Sequence, residues 1–234
     1  MTRRIAMLYP GHSAEDDYPV LAERLGVDLP VTHTWEGPTL HDVESLRALG
    51  TDDQLHPAAA AAGAADTVMW ACTSGSFVYG WDGARAQADR LAVAAGVPAS
   101  STSLAFAAAL ARLAIDRVAV AATYPADVAA AFTDFLGGAG VAVTALTSHD
   151  IPSGEDAGRV GDAGVRELAR SVDRAGADAL LLPDTALRTA RLIDELEDEL
   201  GTTVLTANQV TAWQGMVLAG VEAPDTGPGR LFRG

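Results

Sequence analysis

The chain has 234 residues, 49% of them hydrophobic, and a formal net charge of -15. That length buries a substantial core, as one large domain or as two lobes of roughly 110 residues, and the negative charge disfavours nucleic acid and anionic membranes, whose binding rests on clustered Lys and Arg. All 16 basic residues are arginine, which excludes a lysine Schiff base to pyridoxal phosphate or to a carbonyl substrate. A single cysteine, Cys72, forms no internal disulfide and builds no thiolate zinc site alone. No cofactor and no metal are expected. No apolar run approaches the ~20 residues of a membrane span, and Met1-Thr-Arg-Arg-Ile leads into a strand pattern rather than a signal peptide. A cytoplasmic location is therefore expected.

Short apolar runs alternate with longer segments of helical period, which predicts an α/β fold with parallel sheets flanked by helices. Strands are expected at 4–9, 29–34, 67–71, 97–101, 117–122, 141–146, 178–182 and 202–206. The clearest helix runs from 188 to 200, with Leu192, Ile193, Leu196 and Leu200 on one stripe and Gly201 as its stop. Another is expected from Asn208 to Leu218, before a turn-rich exit.

Two halves of the chain follow one plan. Arg4-Ile-Ala-Met-Leu-Tyr-Pro10 is echoed by Arg117-Val-Ala-Val-Ala-Ala-Thr-Tyr-Pro125, and the run ending in Ala71-Cys-Thr73 is echoed by the run ending in Pro183-Asp-Thr185. The expected architecture is two pseudo-symmetric lobes, 1–115 and 116–220, each with a parallel four-stranded sheet, followed by a tail, 221–234, docking on the body. Ligands of open parallel sheets bind beyond the carboxyl ends of the strands. That rule selects the loops 10–17, 72–77, 123–127 and 184–188 and places the active site in a cleft between the lobes, with Cys72 facing Asp184.

Each of these residues has two readings. Cys72 is either a buried small hydrophobe or a reactive thiol whose pKa is lowered by a following helix start. Thr73, Ser74 and Ser76 either cap that helix or hold an anion with their hydroxyls and the local N–H groups. Asp184 reads as a turn residue or as the counterpart of Cys72. Tyr124 reads as loop packing or as a donor to an anion. His12 is the histidine placed in a cleft loop, beside Ser13 and the acidic run Glu15-Asp16-Asp17, which reads as a solvated helix start rather than a metal site.

At Ala71-Cys-Thr-Ser-Gly-Ser-Phe77 the chain resembles the aspartate/glutamate racemase superfamily, in the branch of maleate cis-trans isomerases and arylmalonate decarboxylases. The likeness continues through Ala121-Ala-Thr-Tyr124, Ile151-Pro-Ser-Gly-Glu155, Leu187-Arg-Thr189 and Gly229-Arg-Leu-Phe232. It implies a cofactor-free site between the lobes for a small mono- or dicarboxylate. Thr73, Ser74, Tyr124 and the N–H of Thr185 would cradle a carboxylate or an enediolate in an oxyanion hole. Cys72 would hold the first-lobe thiol position, the nucleophile of the isomerases, and Asp184 would replace the second-lobe cysteine as acid or base, protonated in the active complex.

Pro10, Gly11, His12 and Ser13 would line the pocket, with Gly75, Gly154 and Ala157 where the decarboxylases carry larger apolar residues. A wider or more polar cavity is the expectation there. The leading reading is an isomerase of small unsaturated dicarboxylates with Cys72 as nucleophile. Its rivals are a decarboxylase in which Cys72 protonates an enediolate, an amino-acid racemase, and a non-catalytic carboxylate binder. A homo-oligomer stays open.

Overall fold

A computed structural model describes residues 2–233; residues 1 and 234, the outer ends of the expected first lobe and tail, lie outside the described residues. The first half contains β1 (Ile5–Pro10), α1 (Asp17–Leu25), β2 (Val31–Trp35), α2 (Val43–Leu49), α3 (Asp52–Ala61), β3 (Thr67–Trp70), α4 (Ser74–Phe77), α5 (Gly80–Ala95), β4 (Ala99–Ser101) and α6 (Thr102–Arg112). The second contains β5 (Arg117–Ala122), α7 (Ala126–Gly138), β6 (Ala142–Ser148), α8 (Gly154–Ala157), α9 (Asp162–Arg170), β7 (Ala179–Leu182), α10 (Ile193–Leu200), β8 (Thr203–Thr206) and α11 (Ala207–Leu218). A last turn, α12 (Arg230–Arg233), closes the chain.

The strands form two four-stranded sheets with equivalent orders, β2-β1-β3-β4 and β6-β5-β7-β8, and every pairing between named strands is parallel. All eight expected strands are present. The central strands β1, β3, β5 and β7 are buried apart from the first residue of β5, and apolar apart from that residue and Thr67 at the start of β3, as sheets covered on both faces require. In each sheet the strand order reverses between the first and third strands of its half, β1 and β3 or β5 and β7. Chain ends leaving such a switch point diverge and open a crevice. The residues after β1 and β3 and those after β5 and β7 therefore meet where the sheets face each other.

The helix expected from 188 begins only at Ile193. Upstream, Arg188 is turned outward to Asp16, and the N–H groups of Thr189 and Ala190 donate to the buried Asp17 carboxylate at 2.8 and 3.1 Å. Those tertiary bonds outweigh the helical period of the segment. Helix α11, expected to close the second half, packs on the first half as well: Thr211 meets the Thr102 hydroxyl at 2.7 Å, and the Gly215 carbonyl accepts from Thr67 at 3.2 Å. Nearly all of its sides are buried, because its Ala, Val, Trp and Met residues have apolar partners on both sheets. One hydrophobic core consequently runs through both halves. Leu231 and Phe232 of the tail are buried, and the N–H of Arg230 donates to Glu197.

Candidate active site

Cys72 leaves the end of β3 beside a tight turn. Its sulfur accepts from the Gly75 N–H at 3.3 Å and contacts the Ser74 hydroxyl at 3.7 Å. A Cβ on Gly75 would lie 2.9 Å from the Trp70 ring and 3.1 Å from the sulfur, so glycine is what allows the turn to fold over the thiol. The thiol is buried. Burial pushes it up to about 11; the Gly75 N–H and Ser74 hydroxyl pull the other way, and the charge of Asp184 adds to the rise. The lowered pKa expected from a helix start is therefore corrected: four residues of helix do not offset desolvation. In this closed state Cys72 is a thiol, a proton donor.

Asp184 leaves β7 at the corresponding place. One carboxylate oxygen accepts from the Thr123 hydroxyl and the other from the Ala186 N–H at 2.9 Å. These two hydrogen bonds fix the orientation of the carboxylate. The Thr185 carbonyl is held by the Tyr9 hydroxyl at 3.0 Å and by Asn208 at 3.1 Å, whereas its N–H has no acceptor among the described residues.

Cys72 and Asp184 line one cavity of about 20 Å³, together with Tyr9, Pro10, Ser13, Thr39, His41, Leu46, Leu49, Ser74, Gly154, Thr185 and Ala186. That volume suits one water molecule. The pocket is narrow, and its lining mixes polar residues with Pro10, Leu46, Leu49 and Ala186. At Gly154 the freed space is filled by Thr39, whose hydroxyl oxygen lies 2.6 Å from where a Cβ would be. Trp70 fills the space at Gly75.

Among the other expected residues, Thr73 is fully buried and its hydroxyl has no partner. An orphaned buried hydroxyl costs free energy unless a ligand meets it. Thr73 itself is not among the residues that line the cavity. Tyr124 lies outside the lining and donates its single O–H to the Pro183 carbonyl at 2.9 Å. Burial, followed by the charge of Asp184, holds it firmly as a phenol, so in this state that proton is not free for a substrate. Ala157 is buried in α8, outside the lining.

His12 does not enter the cavity. Gly11, at φ +60°, reverses the chain, and His12 projects outward, 4.0 Å from the His33 ring and 3.1 Å from Glu15. The ligand atoms of His12, Glu15 and His33 come within 4.8 Å of one another on this outer face. Asp16 pairs with Arg188, while Asp17 is buried and bonded, so the acidic run is divided between surface and core rather than solvated throughout.

The residues that sequence reasoning missed come from a roof. Segments 39–41 and 151–155 pair as a short antiparallel bridge, Leu40 with Ser153. Gly154 donates to the Thr39 carbonyl at 2.9 Å, and the His41 N–H donates to Pro152 at 2.8 Å. Glu155 accepts from the Thr39 N–H and hydroxyl, both at 3.0 Å. Burial raises the Glu155 carboxyl, but hydrogen bonds from backbone N–H groups and from the Thr39 and Ser153 hydroxyls outweigh it and hold the group below its ordinary value. No local pattern marks Thr39 or His41, since their partners lie more than 100 residues away. Tyr9 was visible in the Tyr-Pro echo between the halves.

The model of the arylmalonate decarboxylase family matches residues 47–232. The chain belongs to the arylmalonate decarboxylase family.

A solved structure similar to this family member is a liganded double mutant of arylmalonate decarboxylase, with one glycine changed to cysteine and one cysteine to serine. It is 29% identical over 99% of both chains, with a TM-score of 0.84. Maleate isomerase from Pseudomonas putida S16, a cysteine-to-alanine variant with maleate, has a TM-score of 0.88 at 17% identity, covering 100% of this chain and 98% of that one. The maleate cis-trans isomerase of Nocardia farcinica, a cysteine-to-serine mutant with a covalently bound succinylcysteine intermediate, has a TM-score of 0.88 at 22% identity, covering 100% and 99%. At these identities the isomerases share the fold. No curated protein sequence matches. No helix among the described residues is long and apolar enough to cross a membrane.

Proposed function

We propose that this protein is a cofactor-independent enzyme of small carboxylates, acting as a cis-trans isomerase of an unsaturated dicarboxylate of the maleate type. The observation that carries the reading is the convergence of Cys72 and Asp184, from equivalent strands, on one small cavity with polar groups on its walls. In the reaction Asp184 takes the Cys72 proton, and the sulfur forms a bond to one alkene carbon. The electron pair of the double bond moves to the other carbon and into its carboxylate, giving an enediolate. Ser74, Thr73 and the N–H of Thr185 hold that charge, each preorganised donor being worth roughly 3 kcal/mol. Rotation about the new single bond follows. The pair then returns, the C–S bond breaks, the trans alkene leaves and the proton goes back to sulfur.

A second reading has its own support. Burial keeps Cys72 protonated, and a thiol in that state is ready to protonate the planar enediolate left when a disubstituted malonate loses carbon dioxide. The family match points the same way. Proton NMR of the enzyme with maleate and, separately, with a methyl-aryl malonate decides: fumarate supports the isomerase, a propionate with carbon dioxide supports the decarboxylase, and silence with both sinks both readings.

A further inference from the structure

A dicarboxylate entering this cavity meets an electrostatic problem. No Lys or Arg lines the walls, and Asp184 already stands there as a charge-bearing acid. Enclosing a dianion without a compensating cation is costly. One lining side chain can supply that cation.

His41 is 6% exposed, and its Nδ1 lies 2.8 Å from the Ile151 carbonyl oxygen. A carbonyl only accepts, so the hydrogen sits on Nδ1 and the neutral ring keeps its lone pair on Nε2. Among the described residues Nε2 has no hydrogen-bond partner. The ring is fixed edge-on to Tyr124, with centroids 5.0 Å apart and planes at 77°, and the backbone N–H is pinned to Pro152. A rigid imidazole on the cavity wall thus has one nitrogen tied down and one left over.

We propose that His41 recognises the second carboxylate of the substrate, taking up a proton at Nε2 when the dianion enters and donating it as an N–H⁺···O⁻ bond. This rests on the dicarboxylate reading above. The first carboxylate goes to the Thr73 and Ser74 end. Around His41 the titratable groups are Tyr124 after β5, Cys72 after β3, Tyr9 on β1, Asp184 after β7, Glu155 on α8 and the adjacent Asp42. The two tyrosines and the cysteine are kept neutral by burial.

The test is calorimetric titration of the full chain with succinate, a saturated dicarboxylate that cannot add the thiol, and with butyrate, in buffers of different ionisation enthalpy. Uptake of up to one proton per succinate is expected above about pH 6.5, where succinate is already a dianion, with affinity falling about tenfold or more from there to about pH 8.5. His41→Asn keeps a donor to Ile151 but removes Nε2; it should remain folded by circular dichroism and lose both the proton uptake and the preference for succinate over butyrate. Succinate binding without proton uptake, or unchanged in a folded His41→Asn protein, overturns the proposal, as does no succinate binding at any pH. Maleate turnover followed in parallel separates the two readings: proton-linked binding without turnover supports the role of His41 and removes the isomerase, whereas turnover with pH-independent binding removes the role of His41 alone.

Discussion

Thr39, which lines the same cavity as Cys72, is joined to Glu155 of the other half of the chain, the carboxylate accepting from both the backbone N–H and the hydroxyl of the threonine. Glu155→Ala removes these bonds without touching the reacting groups. The roof should then open more often, raising the rate of Cys72 alkylation by iodoacetamide about tenfold, the equivalent of 1.4 kcal/mol and of one or two hydrogen bonds. The same latch should loosen in acid. A depressed carboxyl contributes stability that is present above its unfolded pKa and lost as pH falls through the folded one. Alkylation unchanged in the variant would show that the roof is held by other contacts.

Cys72→Ala should abolish turnover and leave thermal stability nearly unchanged, since the lost sulfur is small and the Gly75 N–H loses only a weak acceptor. Steady-state kinetics and a melting curve on the same preparation test this. Retained activity would remove the thiol from the mechanism.

The pH dependence of the thiol has a definite sign. Burial raises Cys72 from an ordinary 9.0 to about 11, so between those values the native state holds a proton that the unfolded chain has lost. Stability should fall as pH rises through that window, by about 3 kcal/mol, with the raised Tyr9, Tyr18 and Tyr124 extending the loss to higher pH. Urea denaturation at a series of alkaline pH values measures it, and Cys72→Ala should flatten the first part of the slope.

Asp184→Asn keeps the shape of the side chain and a partner for the Thr123 hydroxyl. It should fold and lose about 10² to 10⁴ of the rate, the range for a positioned acid or base. A smaller loss, with the pH profile unshifted, would reassign Asp184 to holding its loop.

Asn208 binds the Asp17 carboxylate, the Thr185 and Leu187 carbonyls and the Tyr18 hydroxyl. Asn208→Ala strands several buried polar groups and should cost about 3 kcal/mol. In a chain of this size that is a fall in Tm of roughly 6 to 12 °C, readable by calorimetry.

The fold was legible because its signal is local: buried runs such as Ala179–Leu182 and the doubled Tyr-Pro strand ends fix both the strands and their equivalence. Cys72 and Asp184 followed from that equivalence as a pair lining one site. Legibility stopped where a residue acts through a distant partner. Nothing near Thr39 or His41 in sequence anticipates Glu155 or Ile151, and the helical stripe after Arg188 gives no sign that Asp17 claims the amides of Thr189 and Ala190. His12 was misplaced because one glycine turn decides which way the loop faces.

Helix α11 carries a kinetic consequence. It is packed into the first sheet as well as its own, so swinging the halves apart would tear a continuous apolar core, far costlier than lifting a strap held by a few hydrogen bonds. Ligand traffic must therefore pass through the roof. With room for a single water beneath it, the roof makes entry a gated process: the observed binding rate should climb with ligand concentration and then level off at the frequency with which the strap lifts.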